Sequence, residues 1–563
     1  MESVTGKYDL KMRFSMRRII KNAAIVLMST CLGLASTAHV PGDYTTIQQA
    51  LNNFIWQDTL LVAPGVYVEN LRLTSNNRNL VICSWFTTTG DTSYISQTII
   101  DGDSSGTVVV FSWDVDSTTV FAGFTITNGF YDDPAGDGSA GGILCVGGTN
   151  PILSDLIISG NSTTNYYGGG VSLAGRAHLS NVIIENNHTE MYGGGMYLIG
   201  HPTFSNVIVR ANSAIRQGGG IYCGSGASWS GGNSSNNLIV EDNTARTGGG
   251  IYFNSVSDNY EERTLTNFTV KGNEAILIDG YGGEGGGIYD LGSQLHLSNV
   301  VIDSNMAVYA GGGLFSTNTS NLQMSDAQIS RNSAQDGGGI HGVGNSTINL
   351  SNNVDISENS AIRGGGIAGH GSGFYLIMKN GTITDNAVDT VNYSSDGGGA
   401  IYLFGGPTIN LNDVIIDGNS SIRSGGAIKC RASKMILSNV SITNNQAHNP
   451  NDEWSSYYGG GIYMVVGAQA WLNEVKIDGN YASYSGGGIS SGFDSQLYIN
   501  SSAVTNNTSG VANSNGYGAG IALNNTTGVL SGVTISNNGF QYTGSGSGLH
   551  CSESDMPLVN SIV

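Results

Sequence analysis

The chain has 563 residues, 84 of them Gly and 8 Pro, with 11% charged and 39% hydrophobic residues. Its glycine share is about twice the usual one yet less than half of collagen's, and its 26 Tyr and 15 Phe are too many for a disordered linker. The net charge of −20 hides an asymmetry: Lys7, Lys11, Arg13, Arg17, Arg18 and Lys21 all lie in the first 38 residues, leaving 16 basic against 40 acidic residues beyond them. Such a surface excludes nucleic acid and anionic lipid as partners and repels acidic polysaccharides unless a cation bridges them.

Residues 1–38 read as a signal peptide with an upstream extension. Arg17, Arg18 and Lys21 precede the apolar run Ala23 to Ser36, and Ser36-Thr37-Ala38 offers small residues before a cut at His39. No later segment is apolar for 18 residues, so no membrane span is expected and the product is placed outside the cell or on its outer membrane or surface. Residues 39–139 are expected to form an N-terminal cap and the first coils, with a short helix from Ile47 to Phe54 before the strand LLVAPGVY.

From residue 140 to 563 one unit recurs. Two or three glycines or alanines precede an apolar residue at Ile143, Val171, Met196, Ile221, Ile251, Ile288, Leu314, Ile340, Ile367, Ile401, Ile428, Ile462, Ile489, Ile521 and Leu549. Between them an Asn follows a β-branched residue at Asn161, Asn187, Asn212, Asn243, Asn273, Asn305, Asn332, Asn359, Asn386, Asn419, Asn445, Asn480, Asn507 and Asn538. Apolar residues alternate within a unit, as at Leu295, Leu297, Val300 and Ile302. Three short strands and three corners account for a unit of about 25 residues. Stacked units predict an all-β, right-handed parallel β-helix in which each strand pairs with its equivalent one coil on. Asn suits the corner because it tolerates left-handed backbone, and its amides can bond along the stack. Cys145, Cys223, Cys430 and Cys551 take inward positions after the repeat residue and are expected to fill the core as free thiols.

The GG[GA]I and [IV]xxN pattern resembles the repeats of the chlamydial polymorphic outer membrane proteins. Val40 to Leu71, with TIIDGDSSGTVV and FAGFTITNG, is similar to the cap of pectin-lyase-like β-helices. The first resemblance implies adhesion; the second implies enzymes acting on polysaccharide. Of the polygalacturonase motifs only Gly369-His370-Gly371 is present, without the NTD and RIK segments, and His370 reads as a polar residue just past a strand. Pectinesterase and pectate lyase motifs are absent, and Arg216, Arg246, Arg363 and Arg423 before the glycines read as solvated charges. Asp101-Gly102-Asp103 reads as a turn, so no metal, cofactor or catalytic residue is assigned.

Two features exceed the repeat's needs. Tyr197, Tyr222, Tyr252, Tyr289 and Phe315 follow the repeat residue in five consecutive coils and form an outward aromatic strip, which reads either as a platform for sugar rings or a partner protein or as side-chain stacking that shields sheet edges and backbone. Four corner loops are longer than the rest; two carry Asp389, Tyr393 and Asp396, and Asp452, Glu453, Trp454, Tyr457 and Tyr458, which suit carbohydrate contact. The expectation is a non-enzymatic, adhesin-like binding protein for carbohydrate or for a host or neighbour-cell surface protein. The alternatives are a polysaccharide lyase or hydrolase and a structural stalk.

Overall fold

The computed structural model describes residues 36–53, 58–77, 79–132, 140–231, 238–255, 262–389, 397–450, 456–510, 516–542 and 544–563. They form a parallel β-helix. One coil shows its construction. A two-residue strand, Met306–Ala307, leads through Gly311 to Gly313 into Leu314–Thr317; a turn then feeds the ten-residue strand Asn321–Ser330, and Asn332 closes the coil. The two-residue strand belongs to a sheet of 15 short strands, each of two to five residues, and the other two belong to a 42-stranded sheet. The longest strand bends at a left-handed residue such as Asn299 or Asp326, which lets one strand line two sides of the tube. Alternation puts Leu322, Met324, Ala327 and Ile329 inside, with the Ile of every glycine unit, in one apolar core running the length of the rod.

The cap forms as expected over Ile47–Asn53, with Ile47, Ala50 and Leu51 on the core. Its first amides are held by Glu69, which accepts from the backbone N–H of Ile47 and Gln48 at 2.9 and 2.8 Å; a carboxylate there also meets the positive end of the helix dipole. Residues 1–35 of the expected signal peptide lie outside the described residues. The first strand, Thr37–Val40, begins two residues before the expected cut and pairs with Thr59–Val62.

All fourteen ladder asparagines stack. From Asn187 onward each Oδ1 accepts both the backbone N–H and an amide hydrogen of the Asn one coil earlier, as Asn212 does from Asn187 at 3.0 Å each, while Asn161 accepts from Gly129 N–H; the second amide hydrogen goes to a carbonyl, for Asn187 that of Ile158 at 2.9 Å. The left-handed conformation expected of these asparagines instead belongs to the residue before each of them: Gly160, Asn186, Ala211, Asp242 and so on to Asn537. The ladder Asn faces inward with its amide spent on the stack, so the turn is made one residue earlier. Ala211, exposed at φ 52°, bears a Cβ in that conformation for no visible return. Ala211→Gly is therefore expected to raise stability by up to about 1 kcal/mol, read as a higher urea midpoint with an unchanged slope.

Cys145, Cys223 and Cys430 are buried free thiols, as expected, and burial pushes Cys223 up to about 11. Cys551, in the strand Leu549–Ser552, is exposed here.

Candidate functional site

The aromatic strip is present but is not an exposed platform. Tyr197, Tyr222, Tyr252, Tyr289 and Phe315 stack ring on ring, with centroids 4.9 to 5.3 Å apart and planes within 25°. Tyr222, Tyr252 and Phe315 are buried. Tyr167 and Tyr192, which precede the glycines, stack alongside and cover the column further. Each face is occupied by the next ring, so none is free to receive a sugar. Burial accordingly pushes the phenols of Tyr222 and Tyr289 up to about 12. Beyond Phe315 the column continues through His341 and His370 to Tyr402, and Lys429 then sits between Tyr402 and Tyr463, 5.9 and 5.6 Å from their centroids.

Of the loop candidates, Tyr393, Asp396, Asp452, Glu453 and Trp454 lie outside the described residues. Asp389 is exposed. Tyr457 is buried against Ala447 and Ala482, and Tyr458 stacks on Tyr463 at 5.5 Å, so both serve packing of the loop onto the rod. Asp101-Gly102-Asp103 is a turn: the Asp101 carboxylate accepts from Asp103 N–H and from Asn128 Nδ2, both at 2.9 Å. A buried charged pair also sits inside the tube, where Arg263 and Asp290 occupy inward positions and burial raises Asp290 to about 6. Sealed from solvent, it cannot meet a polymer.

A different face carries the accessible chemistry. The outward residues of the first half of the long strands keep register over ten coils. One row runs Thr264, His296, Gln323, Asn349, Ile377, Asn410, Ile436, Trp471, Tyr498 and Val529; beside it runs Glu262, Gln294, Asn321, Thr347, Tyr375, Thr408, Lys434, Gln469, Gln496 and Thr527. At the N-terminal end Glu262, Gln294, His296, Asn321 and Gln323 line a polar groove of about 420 Å³. There His296 Nε2 meets Glu262 Oε1 at 2.5 Å, and Asn321 Nδ2 donates to Gln294 Oε1 at 2.9 Å. At the other end Ile436, Trp471, Tyr498 and Val529 line a groove of about 230 Å³. Trp471 and Tyr498 stack at 5.6 Å, and the Lys434 ammonium lies 4.7 Å from the Trp471 ring centroid. Six coils separate His296 from Trp471, about 29 Å at the strand spacing. Sequence reading missed this face because its rows are chemically mixed: nothing repeats until the register aligns them.

No family description and no curated protein matches the chain. Among solved structures it is similar to the catalytic domain of a GH87 α-1,3-glucanase in complex with tetrasaccharides, at 12% identity and a TM-score of 0.29 over 93% of this chain and 70% of that one. It is also similar to the tailspike gp61 of Pseudomonas phage phi297, at 11% identity and 0.23 over 87% and 73%. A third is the PL6 family alginate lyase AlyGC, at 10% identity and 0.18 over 93% and 100%. These similarities are of fold. The resemblance to the polymorphic outer membrane proteins stays one of repeat pattern. The expectation of a non-enzymatic adhesin is corrected: the aromatic strip meant to adhere is packed against itself. Among the described residues, no helix is long and apolar enough to cross a membrane.

Proposed function

We propose that the chain is exported and acts on a neutral polysaccharide lying along the rod axis, on the outer face of the long strands. The observation that carries this is the unbroken register of that face, with a carboxylate–imidazole pair among amides at one end and a Trp–Tyr pair at the other. A linear polymer with a repeating ring needs both kinds of contact, amides for its hydroxyls and aromatic surface for its apolar ring faces. Glu262 and His296, 2.5 Å apart, supply the acid–base pair, with Gln294, Asn321 and Gln323 positioning the sugar beside them. Cleavage is thus assigned to the N-terminal groove and chain holding to the C-terminal one. The acidic surface disfavours an anionic polymer.

The test is a depolymerisation screen over neutral and acidic glycans. On the responsive glycan, Glu262→Gln and His296→Gln are each expected to lower kcat at least about a hundredfold. Trp471→Ala should instead raise KM by about tenfold with kcat retained. Failure to cleave any neutral glycan, or turnover indifferent to both groove substitutions, would overturn the reading.

A further inference from the structure

The ring column beside the glycine corners changes character beyond Phe315. The position held by Tyr252, Tyr289 and Phe315 is held next by His341 and then by Ala368, which has no ring to offer. The gap is filled from the same strand: His370, at the end of Ile367–His370, brings its imidazole to 4.8 Å from that of His341, edge to face at 81°. Asp336, the residue before the glycine triplet of the His341 coil, completes a cluster in which one donor atom from each of the three side chains lies within 4.8 Å of the others.

The protonation pattern of His341 distinguishes this cluster from ordinary packing. The residue is 3% exposed. Its Nδ1 lies 3.3 Å from the carbonyl oxygen of Asp336, so that nitrogen carries the hydrogen and donates it. Nε2 is then left as a bare lone pair, and among the described residues no donor reaches it. A buried acceptor without a donor costs free energy unless something fills its lone pair. An imidazole held by a backbone carbonyl through one nitrogen and bare at the other, with one of its ring nitrogens within 4.8 Å of a donor atom of a second imidazole and of a carboxylate, has the elements of a metal-bound histidine with its outer-shell support. The Asp336 carboxylate is also fixed, by Arg363, whose Nε and Nη2 both bond to it.

We infer that Asp336, His341 and His370 bind one divalent transition-metal ion of the zinc class, which joins two successive coils where Ala368 interrupts the ring column. Two imidazoles and a carboxylate select Zn²⁺ or Co²⁺ over the all-oxygen preference of Ca²⁺ and Mg²⁺. Donor atoms around a tetrahedral ion at about 2.1 Å lie roughly 3.4 Å apart, so the three side chains close by about 1 Å on binding.

The test uses the whole chain purified without a histidine tag, stripped with chelator and dialysed against Zn²⁺ or Co²⁺. One equivalent per chain is expected, with Co²⁺ giving the visible absorption of a low-coordinate site. His341→Phe continues the column from Phe315 and preserves packing; His370→Gln keeps a polar side chain of similar reach. Both are expected to retain the β-sheet circular dichroism of the parent and to lose the equivalent, and Asp336→Asn, which keeps the shape of the cluster, should bind more weakly. Absence of uptake by the parent chain, or an equivalent retained in both folded histidine variants, would overturn the assignment.

Discussion

Asn332→Ala is expected to lower the unfolding free energy by about 4 kcal/mol, the sum of several buried groups left unpaired at about 1–3 kcal/mol each. The Asn332 side chain accepts Asn305 N–H at 2.9 Å and Asn305 Nδ2 at 3.0 Å on one side. It donates back to Ile302 O of that same coil at 2.9 Å and, on the other side, to Asn359 Oδ1 at 3.0 Å. Truncation leaves Asn305 N–H and one amide hydrogen of Asn305 without an acceptor, and takes a donor from Ile302 O and from Asn359 Oδ1, which keeps only the backbone N–H of residue 332, all at a site closed to water. Because each coil touches only its neighbours, the defect should also divide the rod, and urea unfolding followed by circular dichroism should broaden or split at mid-chain. Asn332→Asp separates hydrogen bonding from shape. Its carboxylate still accepts from Asn305 but confronts two oxygens where the amide donated, so the folded state favours the protonated acid. Stability of that variant should therefore be greatest below the ordinary Asp pKa and fall as pH rises through the raised folded value. An Asn332→Ala variant within about 1 kcal/mol of the parent would show that the ladder follows from the fold and does not hold it.

The ladder was legible in the sequence because it repeats. Fourteen asparagines at one register position, each a coil apart, cannot be mistaken for surface polarity, and the alternation of apolar residues between them fixes which way each strand faces. What a single coil does not announce was lost. The left-handed residue varies among Gly, Asn, Asp, Ala, Ser, Arg and Glu from coil to coil, so it left no pattern to read. The outward rows from Thr264 to Val529 looked like the ordinary polar half of each strand. The Tyr column was legible too, and of its two readings the shielding stack is the one observed, since rings one strand spacing apart stack on one another before they offer a face to anything else. Asp336, His341 and His370 belong to two coils, and in sequence His370 was weighed only against a hydrolase motif whose other members are missing.

The three glycines of each corner are not equivalent, and Gly218→Ala against Gly461→Ala separates them. Gly218 sits at φ 67°, where a Cβ would lie 2.5 Å from Ile221 O and 2.8 Å from Tyr222 N. The substitution must bear left-handed backbone, at about 1–2 kcal/mol, together with a clash against backbone three and four residues further on that has no rotamer to relieve it. A loss of about 3 kcal/mol is expected. Gly461 is the last of its triplet and has no left-handed requirement; its Cβ would meet Gly488 O at 2.7 Å, with the next contacts at 3.3 and 3.4 Å. In the same place other coils carry Ala400 and Ala427, both fully buried, so the stack accommodates a methyl there by a small shift of the coil above. Gly461→Ala should cost no more than about 1 kcal/mol, with part of that offset by the stiffer unfolded chain. Equal losses for the two variants in urea unfolding would mean that crowding between coils, and not the backbone conformation at the corner, keeps glycine at the head of every unit from Val171 to Leu549.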